Sequence, residues 1–245
     1  MFTSDCLNID GGLWERTFQQ ELNENVIPYR GTSANLPLLS IDDDGYEYIK
    51  TKSEMKTVVL GIVETFSNES CVVYRMDTEY CRGESFARRL QISLPRLNGR
   101  EFKVKVFDLN SAGIRDEADF PVELRRMLMA KKFIPTGRLV GNDCKKLHAY
   151  GVTITRWIEL RGLCLEAVTT LDNTNNTSLK VLAEYFLCGT LDKDGQMGDY
   201  SVAPLPISLH KYAALDALMS RLVFEKVARM LKLPQSNIIY EGPRA

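Results

Sequence analysis

With 245 residues, 44% of them hydrophobic, the chain is long enough to bury a full core and suits one large domain or a domain with an extension. The 31 basic and 32 acidic residues leave a formal net charge of −1, which excludes the broad basic field that drives salt-dependent, non-specific nucleic-acid binding. Six cysteines without a C-x-x-C pair, and only His148 and His210 to join them, exclude the usual structural zinc patterns, and no apolar run approaches membrane-spanning length.

Residues 1–45 are polar and broken by Asn, Gly and Pro, and they end in the acidic turn Asp42-Asp43-Asp44-Gly45. They read as an N-terminal extension, a covering arm or a flexible lead that offers a place for a protein partner, ahead of a domain over 46–245. The scattered cysteines and the lack of an apolar leader after Met1 point to reduced thiols and an intracellular protein, nuclear or cytoplasmic, with no membrane partner.

Tyr46 to Lys50 is a short strand candidate. A helix follows from about Ser53, its cap, to Phe66, with Met55, Val58, Val59, Ile62 and Val63 as its buried stripe. Cys71 to Met76 is largely apolar and rich in β-branched residues, a buried strand that ends at Asp77-Thr78-Glu79. On an extended backbone Asp77 and Glu79 share a face, so they either meet around one cation or lie in an exposed turn.

Arg88 to Leu94 and Phe102 to Leu109, separated by Pro95 to Gly99, read as the two strands of a hairpin, and Val122 to Ala130 as a helix. Lys132 to Val140 is the next strand, leading into a helix that begins near Asp143. An acid there either complements the helix dipole or takes part in chemistry. Leu160 to Thr170 and Leu179 to Phe186 are helical, the latter capped by Ser178, with the polar loops Asp172 to Ser178 and Gly189 to Asp199 around them.

The last helix, Ser208 to Lys232, organises the rest. Leu209, Ala213, Ala217, Leu218, Val223 and Val227 recur at helical spacing, while Tyr212 and Asp216 stand four apart and point the same way. Asp216 among apolar neighbours is either solvated at the helix edge or compensated by something positive, as a metal ion would do. Strands in the first half and helices toward the end describe an α/β fold, a mixed sheet flanked by helices.

Asp77-Thr78-Glu79, the stretch Gly137 to Asp143 with Lys146-Leu147 after it, and Tyr212-Ala213-Ala214-Leu215-Asp216 together resemble the three motifs of the DEDD superfamily of 3′-5′ exonucleases, in the tyrosine subgroup of the ribonuclease D and Werner-type domains. Ser178-Leu179-Lys180-x-Leu182-Ala183 and Leu191-x-Lys193 extend the match, which covers about residues 46 to 232. The histidine subgroup needs His five residues before the last acid, where this chain has Lys211. The family's Gln three residues before the tyrosine is Leu209 here, and its Ser-Asp-Trp-like stretch is Gly198-Asp199-Tyr200.

The resemblance implies an RNase H-like fold and a nuclease that uses two divalent ions, Mg²⁺ or Mn²⁺, to hydrolyse phosphodiesters from the 3′ end of a single strand of RNA or DNA. By the family's pattern Asp77, Glu79 and Asp216 hold one ion and Asp77 with Asp143 the second, Tyr212 orients the attacking water, and Thr78 and Tyr80 lie beside the terminal nucleotide. The alternative is a catalytically silent module that keeps the fold to bind nucleic acid or a protein as a scaffold.

Overall fold

The computed structural model describes residues 36–168, 178–192, 195, 198–232 and the backbone of 240–241. Most of the predicted N-terminal extension, the predicted loop after residue 171 up to Ser178, and Lys193 therefore lie outside the described residues.

In chain order the elements are β1 (Tyr46–Ile49), α1 (Lys52–Thr65), β2 (Val72–Glu79), β3 (Arg89–Ser93), β4 (Val104–Asp108), α2 (Val122–Met129), β5 (Phe133–Gly137), α3 (Val140–Leu147), β6 (Arg156–Glu159), α4 (Leu160–Ala167), α5 (Leu179–Leu187), α6 (Ile207–Met230) and β7 (Tyr240–Glu241). The strands form one mixed sheet in the order β1-β4-β3-β2-β5-β6-β7. β3 runs antiparallel to both β2 and β4, as the predicted hairpin requires, whereas β2 pairs parallel with β5 and β5 with β6.

Alternation along the strands divides the core in two. Val72, Tyr74, Met76, Leu90, Ile92 and Phe107 pack on one face with side chains of α1, α2 and α3, while Val73, Val104, Val106, Ile134 and Ile158 pack on the other with α4, α5 and α6. Cover on both faces is why β2 reads as a largely apolar run, interrupted by Arg75, until its last residues.

Local signals account for most boundaries, with four corrections. α1 is capped by Thr51 rather than Ser53: the Thr51 hydroxyl accepts from the Glu54 amide at 3.2 Å, and the Glu54 carboxylate accepts from the Thr51 amide at 2.9 Å, a capping box. Of its expected stripe, Met55, Val59 and Ile62 are buried while Val63 stays exposed, at 37%. β2 ends at Glu79, as expected, and its pairing of Asp77 with Gln91 and of Glu79 with Arg89 on β3 holds the acids as strand rather than as an exposed turn. β5 ends at Gly137, earlier than expected, since Leu139 takes a left-handed conformation (φ 58°) that turns the chain directly into α3. Finally β6, only 4 residues long, has no predicted counterpart; it exists through its pairing of Ile158 with Thr136.

The end of the predicted extension is part of the packed structure. Leu39 and Ile41 are 2% and 6% exposed within the α6-side core, and Leu39 N–H donates to the Thr190 carbonyl at 2.9 Å while Thr190 N–H donates to the Pro37 carbonyl at 2.9 Å. Lys211 of α6 pairs with Asp43 of the acidic turn at 2.7 Å.

α6 is the central element. It packs on β2, β3 and β4 beneath it and on α4 and α5 beside it, so that it is buried on nearly every side through its middle. Ala213, Ala217, Leu218, Val223 and Val227 sit in the core as expected; Leu209, nearer the open end, is half-buried.

Candidate active site

β2 delivers the first acids. Residues two apart share a strand face, so Val73, Arg75, Asp77 and Glu79 form a row toward α6, and the row changes from apolar to charged as it leaves the core. Thr78 points to the opposite face, toward α3, where its hydroxyl donates to Asp143 Oδ1 at 2.7 Å. Asp143 lies in the first turn of α3, only 6% exposed, where the helix dipole favours an acid. Both readings of that residue are thus compatible: it sits at a helix start and also faces the other acids.

α6 supplies Tyr212 and Asp216, one turn apart, with the Tyr212 hydroxyl donating to the Asp216 carboxylate. Asp77, Thr78, Glu79, Tyr80, Asp143, Tyr212 and Asp216 all border one open pocket of about 640 Å³ at the end of β2. The structure therefore brings to one pocket the seven residues that the sequence offered as catalytic, metal-holding or substrate-contacting candidates.

The electrostatics follow from that assembly. Burial first, then the charges of Asp77, Asp216 and Asp143, push the Glu79 carboxyl well above its ordinary range, with Arg75 opposing. Burial and Asp77 likewise raise Asp143, against Arg75 and the Thr78 hydroxyl. The Tyr212 phenol is raised by burial and by Asp216, so it remains a hydroxyl throughout the neutral range. Carboxylates that disfavour one another's charge form a sink for a cation, and their oxygens are hard donors of the kind Mg²⁺ and Mn²⁺ prefer; the donor set fits such ions. Among the described residues, however, no three His, Cys, Asp or Glu side chains are gathered closely enough to close around an ion as they stand.

The pocket's far wall is held by residues the sequence motifs do not include. Arg89 on β3 and Asp108 on β4, both fully buried, form an ion pair at 3.0 Å. The Arg89 guanidinium also donates to the carbonyls of Tyr200 (3.3 Å) and Val202 (2.5 Å), which ties the loop before α6 to the sheet. Asn110 Nδ2 donates to the Ser201 carbonyl at 3.0 Å, and Leu205 N–H to the Tyr48 hydroxyl at 3.2 Å, while that hydroxyl itself donates to Asp108. Tyr200, thus placed, lines the pocket and donates to the Gly195 carbonyl at 3.2 Å. Gly195 in turn lies against the Tyr212 ring, where a Cβ would approach Cγ to 2.2 Å.

Arg75 is the other residue absent from the motifs. Its Nη2 lies 3.0 Å from Asp77 Oδ2, and its side chain is 2% exposed. The alternation that aligns Asp77 with Glu79 aligns Arg75 with both, so its side of the strand was readable in the sequence; its contacts were not. Lys146 of α3 stands 3.9 Å from the centre of the Tyr80 ring at the pocket mouth, a cation–π contact.

The model of a 3′-5′ exonuclease family matches residues 46–232. No curated protein matches the chain by sequence. Among solved structures, the chain is similar to Escherichia coli RNase D (TM-score 0.58, 17% identity, covering 76% of this chain and 45% of that one). It is similar also to the Aedes aegypti Nibbler EXO domain (TM-score 0.58, 15% identity, 82% of this chain and 93% of that one) and to the catalytic core of RRP6 from Trypanosoma brucei (TM-score 0.57, 16% identity, 88% and 52%). The chain thus spans about half the length of the RNase D and RRP6 chains it matches. At such identities the likeness speaks to the fold, which is RNase H-like, as the resemblance implied. The mixed sheet, the three motifs brought to one pocket and the family match over 46–232 lead to one conclusion: this chain belongs to the 3′-5′ exonuclease family.

Proposed function

We propose that the protein is a divalent-metal-dependent 3′-5′ exonuclease that hydrolyses phosphodiester bonds from the 3′ end of single-stranded RNA or DNA. One observation supports this above the others: Asp77, Glu79, Asp143, Asp216 and Tyr212 border the same pocket, and three of those carboxylates raise the Glu79 carboxyl together. Asp77, Glu79 and Asp216 would hold one Mg²⁺ or Mn²⁺, and Asp77 with Asp143 a second. Bound there, the ions would supply charge stabilisation to the attacking and leaving oxygens of the phosphodiester.

The chain's own groups do the rest. The Tyr212 hydroxyl, kept protonated and anchored on Asp216, would orient a water at the mouth of the cluster. Thr78 and the exposed Tyr80 ring border the place of a terminal nucleotide, whose base can stack on an aromatic face. Arg82, Arg138 and Lys180 in the same lining supply positive charge for backbone phosphates in a chain whose overall charge gives no such field.

A second reading, a silent module that binds strands or a protein partner, is favoured by the ion pair of Asp77 with Arg75, which partly compensates the cluster without a metal. One experiment separates the two. Strands of RNA and DNA labelled at either end are incubated with the protein and Mg²⁺ or Mn²⁺, then with EDTA, alongside Tyr212→Phe and Asp216→Asn. The enzyme reading requires metal-dependent shortening from the 3′ end, a fall of roughly ten- to a thousandfold in Tyr212→Phe with strand affinity kept, and a larger fall in Asp216→Asn. Binding by wild type with no shortening under any divalent ion establishes the module instead.

A further inference from the structure

Arg75 occupies a place that the rest of the site is shaped to give it. It stands on β2 two residues before Asp77 and on the same face. The guanidinium is nearly enclosed, with Nη2 at 3.0 Å from Asp77 Oδ2 and Nη1 donating to the Thr136 carbonyl on the neighbouring strand at 3.0 Å. Its room comes from Gly137, directly after Thr136 on β5: a Cβ on that residue would lie 1.4 Å from Nη1 and 2.7 Å from Cζ. Its φ lies outside the left-handed region, so what the glycine provides is space, filled by the arginine and bounded by the Met76 carbonyl oxygen at 3.0 Å from the Cβ position.

Asp77 is consequently engaged on both oxygens. Oδ1 accepts from the Thr78 amide at 3.0 Å and Oδ2 faces the guanidinium. Arg75 also acts on the other acids, since its charge pulls the Glu79 and Asp143 carboxyls down against the effect of burial. The guanidinium is a planar, rigid fork of donors, so one nitrogen can hold the Thr136 carbonyl while another faces Asp77.

We propose that Arg75 is a resident counter-cation of the carboxylate cluster, competing with divalent ions for Asp77 and so weakening the site's affinity for Mg²⁺ and Mn²⁺. The inference rests on the proposed function only in taking the cluster as a divalent-ion site. Its physical basis is charge: a fixed cation beside the acids reduces the field that draws in a dication, and an ion that takes Asp77 as ligand must first part it from Arg75. Gly137 is then a partner of Arg75, because it alone leaves the guanidinium its seat against Asp77.

The test is Mn²⁺ binding, measured by calorimetry on metal-stripped full-length protein and, in parallel, by the rise in melting temperature that Mn²⁺ produces. Arg75→Met removes the charge and keeps the bulk. Gly137→Ala keeps the charge but expels the guanidinium, and Arg75→Lys keeps a cation in the seat. Arg75→Met and Gly137→Ala should both bind Mn²⁺ roughly tenfold or more tightly than wild type, with a larger Mn²⁺-induced rise in melting temperature, while Arg75→Lys stays near wild type. Should Arg75→Met fail to fold, Gly137→Ala against Arg75→Lys carries the comparison. Mn²⁺ affinity in folded Gly137→Ala within twofold of wild type, or weaker, overturns the proposal. The nuclease assay on the same samples keeps the two readings apart: strands shortened by wild type with unchanged Mn²⁺ affinities sink the role of Arg75 alone, and tightened Mn²⁺ binding with no shortening by any sample sinks the exonuclease reading alone.

Discussion

The buried pair of Arg89 and Asp108 gives the sharpest test of how this pocket is held. Both side chains are fully buried, and the Asp108 carboxylate is also bonded by the Ser111 amide at 2.9 Å, the Ser111 hydroxyl at 2.5 Å and the Tyr48 hydroxyl. Asp108→Asn changes the shape little and leaves the Arg89 charge in the interior without its partner. Breaking one side of a buried pair costs about 3–5 kcal/mol. In a chain of this size each kcal/mol moves the melting temperature by about 2–4 °C, so the variant should melt roughly 6 to 20 °C below wild type. Arg89→Met should lose the anchors on Tyr200 and Val202 as well, and its effect should extend to the pocket's far wall. The double variant isolates the pair: with no charge left buried, its loss should fall short of the sum of the singles by about 2 kcal/mol or more. Calorimetric or circular-dichroism melting of the four proteins is the assay. A melting temperature for Asp108→Asn within about 2 °C of wild type, or a strictly additive double variant, refutes the assignment of a coupled buried pair.

Three further outcomes are expected. Leu39→Ala, in a core position at the end of the predicted extension, should cost about 2–4 kcal/mol, and a protein begun at Tyr46 should lose more; equal melting of that truncation and the full chain would place residues 36–45 outside the folded unit. Gly195→Ala should displace the Tyr212 ring and lower turnover while melting changes little, as read by single-turnover strand degradation beside thermal scans; unchanged turnover would show that the ring's position is not critical. The metal-free protein should lose stability as pH rises: Glu79 is raised in the fold, so above its ordinary value of 4.5 the native state binds more protons than the unfolded one, and the slope is negative until the folded value is passed. Glu79→Gln, or saturating Mn²⁺, should flatten that slope between about pH 5 and pH 7 in denaturant titrations, and an identical slope in wild type and variant would remove Glu79 as its source.

What the sequence determined by itself is what depends on neighbours along the chain. Alternation placed Asp77 and Glu79 on one face of a strand, helical spacing put Tyr212 above Asp216, and the apolar runs marked β2, β5 and α6 because periodicity is a local property of the backbone. The motifs in order were enough to indicate the family and the RNase H-like fold. The tertiary structure decided what depends on partners far apart in sequence. Arg75 reads as one charged residue at the end of an apolar strand until Gly137, some 60 positions later, leaves room for its guanidinium beside Asp77. Arg89 and Tyr200 lie 111 positions apart, so no window of sequence shows that a buried arginine holds the pocket wall. Leu39 and Ile41 look like the tail of a polar segment because their burial comes from the core around α6 and the bridge to Thr190, not from any pattern of their own. β6 is too short to carry a period, and the left-handed turn that leads into α3 falls on Leu139, a residue type that does not announce such a turn. Local periodicity specifies which way a side chain points, whereas the charge it meets there is set by which distant strand or helix the fold lays beside it.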